Sequence, residues 1–380
     1  MKHLSIFSIL LSATWFTPVI AQEGQTDFAE KAAAAFERVI EEYDIPGLVV
    51  GVTHGGKHSF YQTGLASRGD NRPVTPDTVF ELGSISKIFN VTMAALAEKR
   101  GTLSLDEPVA TYLPSLQGSQ AGDLTLMDLA THHSGGLPLQ VPDTAEDVDQ
   151  LVNWLQNWQQ PEPDARSYSN VSIGLLGHIT ASMMDTSYAE AAETILFPAL
   201  GLTNTWINVP SDAMDQYAYG YDRKTNAPIR VTPGLLDDEA YGVKSTARDM
   251  LTLLDIELGN GDVSSEMREA IARTQDGQFQ TRLFTQAMIW ESYPWPADLE
   301  RMVEGNGYDF ILKPQPMEAI DASTEGEVIL NKTGSTNGFG GYVVMVPSEE
   351  LGVVVLANRN YPNEERVRAT YDLMSRILVK

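Results

Sequence analysis

The chain has 380 residues, of which 43% are hydrophobic and 20% charged, and its formal net charge is −25 at pH 7. This composition is typical of a globular protein long enough for one large core or two subdomains. The absence of cysteine excludes disulfides, cysteine-based zinc sites and a thiol nucleophile, and because no basic stripe is present we expect no nucleic-acid partner.

Residues 1–21 have the pattern of a secretory signal peptide. An apolar run from Leu4 to Ile20 follows a basic start, and the small residues Val19 and Ala21 fit a cut before Gln22. The alternative is an N-terminal anchor that stays uncut, which the shortness of the run disfavours. We therefore expect a periplasmic or secreted protein without stable membrane association after signal cleavage.

Strand and helix patterns occur near both ends of the remaining chain. The strand patterns are at 48–53, 59–63, 327–333, 341–346 and 352–357. Helix patterns lie outside them, at 27–42 and 363–378, and the first begins at a capping box on Asp27. The simplest arrangement is one sheet built from both chain ends and flanked by both terminal helices.

The middle of the chain is richer in helix patterns. These are at 84–100, 126–132, 148–158, 171–184 and 188–200. Residues 211–242 are rich in Tyr, Gly and Pro, and predict a long ordered loop. We predict an α/β fold with an antiparallel sheet and an inserted, mostly helical subdomain. Residues 22–380 then form one unit, with an α/β part at 22–84 plus 201–380 and a helical part at 85–200.

A serine and a lysine begin the first of these middle helices. Ser84 and Lys87 are at positions i and i+3, so they lie on the same face one turn apart. At a helix start, backbone N–H groups and the positive dipole end favour an anion. Taken alone, the pair is equally well explained as a capping serine and a surface lysine.

Two further strings follow in chain order. Tyr168-Ser169-Asn170 precedes a helix, where a loop can present a side chain to a cleft, although a turn or core tyrosine is the simpler explanation. Lys332-Thr333-Gly334 ends a predicted strand, where a lysine and a threonine can bind a carboxylate and the strand edge can pair with an extended amide. The alternative there is an ordinary strand end.

In order and context, the three strings resemble those of the penicillin-recognising serine enzymes. Finer matches resemble class C β-lactamases, since Tyr168 stands where class A enzymes have serine. Further similar stretches are at 80–83, 135–140, 240–246, 332–338 and 360–363. The resemblance extends from about residue 27 to the C-terminus.

The resemblance implies a serine β-lactamase that hydrolyses β-lactam antibiotics through an acyl-enzyme, with cephalosporinase-like preference. Ser84 would be the nucleophile, Lys87 its hydrogen-bond partner, and Tyr168 the general base, proton donor and activator of water. The backbone N–H groups of Ser84 and Ser335 would form the oxyanion hole, and Gln140 and Asn170 would bind the side-chain amide of the substrate. The substrate carboxylate would be recognised by Lys332, Thr333, Asn363 and Arg366. Gly334 would allow the substrate to approach closely, and Tyr241 would line the far wall. Ile289 and Val171 depart from the family's common glycine and proline, which puts the substrate range in question.

The identity of the general base stays open. Because a phenol has a pKa of about 10, ionising it at neutral pH costs roughly 4 kcal/mol of free energy. The ammonium groups of Lys87 and Lys332 are expected to offset this cost. The alternative is a neutral Lys87 as base, with Tyr168 relaying protons.

Two other functions remain possible from the residues. One is a DD-peptidase or esterase of the same fold, and the other is a β-lactam-binding sensor without turnover. The adjacent histidines His132 and His133 would not share a helix face, whereas His54 and His58 flank the predicted Gly55-Gly56 turn and could approach each other. Surface or core histidines are the simpler explanation than a metal site. We expect no cofactor, no metal and a monomer whose partner is a small-molecule β-lactam.

Overall fold

The computed structural model describes residues 19–321 and 326–378. Residues 1–18 of the predicted signal peptide lie outside this part of the chain. The first described helix begins at Val19, so the predicted start at Asp27 is wrong. Asp27 lies inside this helix and not at its start, and its carboxylate lies 2.8 Å from the ammonium of Lys31, one turn further along. Within the described residues, no helix is both long and apolar enough to cross a membrane.

Sixteen strands are described. In chain order they are β1 (Gly47–His54), β2 (Lys57–Ser67), β3 (Arg72–Pro73), β4 (Val79–Glu81), β5 (Ala165–Arg166), β6 (Gly220–Tyr221), β7 (Pro228–Ile229), β8 (Lys244–Thr246), β9 (Phe279–Gln280), β10 (Thr285–Gln286), β11 (Glu291–Pro294), β12 (Gln315–Pro316), β13 (Glu318–Ala319), β14 (Val328–Ser335), β15 (Gly340–Val346) and β16 (Leu351–Ala357).

Fifteen α-helices accompany them. They are α1 (Val19–Glu42), α2 (Lys87–Lys99), α3 (Val109–Tyr112), α4 (Gln120–Asp123), α5 (Leu126–Ala130), α6 (Val148–Asn157), α7 (Asn170–Ser182), α8 (Tyr188–Ala191), α9 (Phe197–Ala199), α10 (Asp237–Tyr241), α11 (Ala247–Glu257), α12 (Ser265–Gln275), α13 (Leu299–Asn306), α14 (Tyr308–Ile311) and α15 (Asn363–Leu378). A π-helical turn, Ala192–Leu196, joins α8 to α9, and a 3₁₀ turn, Gly83–Ser86, leads into α2.

Ten of the strands form one antiparallel sheet. Its order is β13-β9-β10-β11-β14-β15-β16-β1-β2-β3. The two ends of the chain meet where β1 pairs with β16, with Leu48 opposite Ala357. Four of the predicted strands agree with the observed ones to within two residues, whereas β2 extends four residues beyond its predicted end at residue 63. Gly55 and Gly56 form the turn between β1 and β2, and the predicted antiparallel sheet from both chain ends is confirmed.

Both faces of this sheet are buried. Along β1, Leu48 and Val50 belong to a core that includes side chains of α1 and α15, whereas Val49 between them belongs to the core beneath α11. Alternate residues of a strand point to opposite faces, so a run of consecutive apolar residues fits a sheet covered by helices on both sides. The core on the α11 side also contains the middle helices α2 and α7.

The middle helices are found close to their predicted positions, but the long loop is more structured than predicted. Residues 211–242 include β6, β7 and the short helix α10. The sequence carries no strong period there, because the strands have two residues each. This segment and α2 border the site described next.

Candidate active site

The nucleophile turn and the end of β14 approach each other at two glycines. A Cβ atom on Gly83 would lie 2.4 Å from the backbone nitrogen of Ser335, and one on Gly334 would lie 2.1 Å from the carbonyl oxygen of Leu82. Gly83 also has a φ of +54°, which favours glycine. The two glycines thus allow the backbone of Ser84 and that of Ser335 to border the same space.

Lys87 lies directly behind Ser84. In the 3₁₀ turn, side chains three residues apart are eclipsed, and the Lys87 Nζ donates to the Ser84 Oγ at 3.0 Å. The ammonium also donates to the Asn170 Oδ1 at 2.8 Å and to the Ala240 carbonyl at 2.7 Å, so all three of its donors have partners. Lys87 is fully buried, and burial, together with the charge of Lys332, lowers its pKa to about 8 although Tyr168 opposes this shift.

Tyr168 is placed by the start of α7. The hydroxyl of Ser169 caps this helix by accepting from the Ser172 N–H at 3.0 Å. The ring centroid of Tyr168 lies 5.4 Å from the Lys87 Nζ and 5.2 Å from the Lys332 Nζ. Burial raises the pKa of the phenol, but the two ammonium groups and a hydrogen bond with Ser84 outweigh it and lower the pKa to about 8.

Asn170 links the lysine to the pocket surface. Its Oδ1 accepts from Lys87, while its Nδ2 donates to the Gln140 Oε1 at 3.2 Å. The backbone N–H of Asn170 also donates to the Leu139 carbonyl at 2.9 Å, which fixes the 135–140 segment against α7. Gln140 itself is exposed. The two predicted amide-binding residues are therefore adjacent, and one of them also orients Lys87.

Lys332 and Thr333 line the same cavity from β14, with Lys332 only 1% exposed. Its Nζ donates to the Thr333 carbonyl at 3.0 Å. Asn363, the first residue of α15, also borders the cavity, and its Nδ2 donates to the Asn306 carbonyl at 3.1 Å. This side of the cavity therefore combines one ammonium, one hydroxyl and one amide.

Arg366 differs from the other predicted site residues because it is buried behind the cavity wall. Its Nη1 donates to the Gly334 carbonyl at 2.8 Å and to the Ser335 Oγ at 3.0 Å, and its Nη2 donates to the Asn360 Oδ1 at 2.8 Å. It does not border the cavity, whereas Ser335 does. This geometry suits a residue that holds the end of β14 better than one that touches a substrate carboxylate directly.

The open cavity has a volume of about 690 Å³. Its border includes all the predicted site residues except Lys87 and Arg366, with Tyr241 on the far wall. Five further lining residues lie in stretches that resemble the family but were given no role: Leu139, Thr336, Asn337, Gly338 and Asn360. The lining residues that the sequence did not indicate are Asp222, Ile229, Arg230, Val231, Thr232, Tyr308, Ile311 and Leu312. Residues 229–232 lie in the segment predicted as an ordered loop, but no pattern there indicated which side chains face the cavity.

The two residues that depart from the family's common sequence lie away from the cavity surface. Ile289 and Val171 are buried in the core on the α11 side, and neither borders the cavity. Any effect of either residue on substrates would therefore act through packing. Among the described residues, no group of three or more acidic or histidine side chains is arranged to hold a metal ion.

A buried ion pair supports the phenol from below. The Arg166 Nη2 lies 3.1 Å from the Glu291 Oε1, both side chains are at most 1% exposed, and the guanidinium carbon lies 5.4 Å from the Tyr168 ring centroid. The Arg166 Nε also donates to the Gln286 Oε1 at 2.8 Å. The pair therefore joins β5 to β10 and β11 beneath the site.

Replacing Glu291 with alanine is expected to lower the free energy of unfolding by about 3–5 kcal/mol, because the buried guanidinium of Arg166 loses its counter-charge. Urea unfolding followed by circular dichroism measures this loss. The matched control is Asp77→Ala, which removes an exposed ion pair with Arg248 and is expected to cost about 0–1 kcal/mol. Equal losses for the two variants would contradict the prediction.

Comparisons with family models, curated proteins and solved structures all give the same family. The Beta-lactamase family model matches residues 32–375. A β-lactamase from Psychrobacter immobilis is 39% identical over 385 residues, covering 99% of this chain and 96% of its own. The crystal structure of a class C β-lactamase from Rhodobacter sphaeroides is 74% identical with a TM-score of 0.91, covering 92% of this chain and 100% of that one. That of a β-lactamase/D-alanine carboxypeptidase from Pseudomonas syringae is 41% identical with a TM-score of 0.89, covering 92% and 98%.

These matches extend over nearly the whole chain and agree with the fold. The resemblance predicted from the three strings is confirmed. The chain therefore belongs to the β-lactamase family, in its class C group.

Proposed function

We propose that this enzyme hydrolyses β-lactams through a covalent acyl-enzyme on Ser84, with cephalosporins as preferred substrates. One observation carries the proposal. The Ser84 Oγ accepts a hydrogen bond from a buried lysine, and the ring of Tyr168 lies within 5.4 Å of two ammonium groups, at the floor of a 690 Å³ cavity. Such an arrangement can remove the proton from an attacking serine near neutral pH.

In the acylation step, the Ser84 Oγ attacks the carbonyl carbon of the lactam and loses its proton to Tyr168. The oxyanion accepts from the backbone N–H groups of Ser84 and Ser335, which the two glycines allow to border one space. The carbon–nitrogen bond of the ring then breaks, and the leaving nitrogen takes the proton from Tyr168. This leaves an ester on Ser84.

In the deacylation step, water attacks the ester carbonyl and gives a proton to Tyr168. The Ser84 Oγ leaves and takes that proton back, and the product is the ring-opened acid. Lys87 and Lys332 favour the ionised phenol in both steps, since a nearby positive charge lowers its pKa. Gln140 and Asn170 would hold the side-chain amide of the substrate, and Tyr241 the far wall.

The carboxylate of the substrate would bind to Lys332, Thr333 and Asn363, which border the cavity together. Gly334 would let the substrate approach the edge of β14 closely. We assign Arg366 an indirect part: its guanidinium holds the Ser335 hydroxyl and the Gly334 carbonyl in place. This assignment is supported by the full burial of Arg366, which does not line the cavity.

We also propose export to the periplasm or medium, supported by the signal-peptide pattern of residues 1–21. A monomer without stable membrane association suffices for the reaction, because one chain supplies every group named above. The division into an α/β part at 22–84 plus 201–380 and a helical part at 85–200 remains a prediction about this unit.

A steady-state assay with a chromogenic cephalosporin tests the proposed reaction. We expect sustained turnover, because the phenol can activate water as well as serine. A burst equal to the enzyme concentration would instead indicate a sensor or a slow peptidase. The relative named β-lactamase/D-alanine carboxypeptidase makes the second candidate a D-alanyl peptidase, and hydrolysis of simple esters or D-alanyl peptides without cephalosporin turnover would favour it.

A further inference from the structure

His132 is a buried histidine for which the proposed reaction has no use. It follows α5 with a φ of +59°, a left-handed conformation that is uncommon for residues other than glycine. Its side chain is 0% exposed, and its Nε2 has no hydrogen-bond partner among the described residues. Burying a ring with an unpartnered nitrogen costs folding free energy.

Two hydrogen bonds and one ring contact join His132 to the segment that carries Tyr168. The His132 carbonyl accepts from the Ser167 N–H at 2.8 Å, and the His132 Nδ1 accepts from the Ser169 N–H at 3.3 Å. Between these two bonds, the imidazole packs on the Tyr168 ring with centroids 4.4 Å apart. His132 therefore holds the residue before the phenol, the phenol itself and the residue after it.

The ring at this position is neutral. Burial, and then the positive charges of Arg166, Lys87 and Lys332, lower its pKa well below the usual value. Because Nδ1 accepts a hydrogen bond, the proton of the neutral ring is on Nε2. The ring therefore supports the phenol without adding a charge that would compete with the two lysines.

We propose that His132 is a positioning residue for Tyr168: it keeps the phenol between Lys87 and Lys332. This inference rests on the proposed function of Tyr168. The charged groups that act on the phenol are Lys87 on α2, Lys332 on β14 and Glu291 on β11, and Arg166 on β5 lies against its ring. If the ring of His132 is removed, Tyr168 can move away from the ammonium groups, and its pKa should rise towards the ordinary value of about 10.

Two variants separate the two kinds of contact. His132→Asn keeps an acceptor for the Ser169 N–H and suits a left-handed backbone, but removes the ring. His132→Phe keeps a ring against Tyr168 but removes the acceptor. The matched control is His133→Asn, since His133 contacts Asp128 and Phe279 and makes no contact with Tyr168.

Single-turnover acylation by a cephalosporin, measured from pH 5 to 10, is the readout. We expect His132→Asn to acylate at least about tenfold more slowly, since small misplacements of catalytic groups carry such costs. The acid limb of its pH–rate profile should also move to higher pH than in the wild type, whereas His133→Asn should behave as wild type. His132→Phe keeps a ring against Tyr168, so it should lose less than His132→Asn. A folded His132→Asn enzyme with the wild-type rate and acid limb would overturn the inference.

A double variant shows whether His132 acts through the phenol. In a Tyr168→Phe background, adding His132→Asn should slow acylation by less than about twofold, because effects of residues that act as a unit are not additive. A full tenfold further loss would overturn the inference. If Tyr168→Phe alone acylates like wild type, the proposed role of Tyr168 fails instead, so the two failures are distinguishable.

The wild-type enzyme offers a measurement that needs no variant at His132. In spectra of ¹⁵N-histidine-labelled protein, the His132 signals should keep the pattern of a neutral ring and shift as Tyr168 loses its proton, near pH 8. The His133 signals should not follow that step. His132 signals that stay constant through this range, or that show a protonated ring near neutral pH, would overturn the inference.

Discussion

Replacing Ser84 with alanine is expected to lower kcat/KM for a chromogenic cephalosporin by at least about 10⁴-fold, because removal of a nucleophile leaves only the contribution of binding and the oxyanion site. The effect should fall on kcat, while the cavity keeps its shape. Intact-protein mass spectrometry of the wild type, quenched during turnover, should show one acyl group per chain. The Ser84→Ala variant should show none.

Ser86 provides the matched control, since it lies in the same 3₁₀ turn and carries the same hydroxyl. Its Oγ accepts from the Val243 N–H at 3.0 Å and it is fully buried, so it faces away from the cavity. Ser86→Ala should lose roughly 1–3 kcal/mol of stability by leaving that N–H unpaired, yet it should still form the acyl-enzyme. An adduct that survives in Ser84→Ala and disappears in Ser86→Ala would show that the wrong serine has been assigned.

Much of the fold could be predicted because its signals are local. The central strands β1, β15 and β16 are largely apolar runs bounded by turn residues, and β14 begins with the apolar residues Val328, Ile329 and Leu330. Helix α15 has the period of an amphipathic helix, with observed ends at the predicted residues. The edge strands β3 and β13, and the strands β9 and β10 next to β13, have two residues each. They are too short to carry a pattern and depend on pairing with their neighbours.

The site was predictable where residues are spaced by one helical turn or follow one strand. Ser84 with Lys87, and Lys332 with Thr333, are such cases. Their convergence with Tyr168 comes from close approaches across long sequence distances, such as Gly83 against Ser335, which no period encodes. The buried residues beneath the phenol were missed for the same reason: Arg166 resembles a surface arginine until its burial against Glu291 is seen.

Arg366 shows the limit of inference from a resemblance. In the sequence it is one of several arginines on the amphipathic α15, and the family pattern implied contact with the substrate carboxylate. In the structure its guanidinium donates to backbone carbonyls and to Ser335. Sequence can give the residue a place near the site, but only packing shows on which side of the cavity wall it lies.

Tyr168→Phe is expected to lower the acylation rate by at least about 10²-fold, the scale of general acid–base catalysis. The variant keeps the ring against His132 and removes only the hydroxyl. Because the pKa of the phenol is lowered to about 8, the wild-type rate should rise through pH 7 to 9 as the base form accumulates. Rapid-mixing measurement of single-turnover acylation across this range gives both the rate and the position of the acid limb.

Lys87 has a pKa near the same value, so the pH profile alone does not identify the base. The variants Tyr168→Phe and Lys87→Met separate the two possible bases, because each group shifts the pKa of the other in a known direction. The phenolate raises the pKa of Lys87, so if Lys87 were the base, Tyr168→Phe would stay fast and its acid limb would move to lower pH. The ammonium lowers the pKa of Tyr168, so if Tyr168 is the base, Lys87→Met should move the limb above pH 8.

We expect the results that identify Tyr168 as the base: Tyr168→Phe should acylate slowly, and Lys87→Met should have its acid limb at higher pH than the wild type. The structural reason is that Lys87 already donates to three oxygens, including the Ser84 Oγ itself. A neutral lysine has two donors instead of three, so its hydrogen bond with the Ser84 Oγ would have to reverse, and its positive charge would no longer favour the phenolate of Tyr168. The phenol lies between two cations that stabilise its anion, so it can take that proton without rearranging its neighbours.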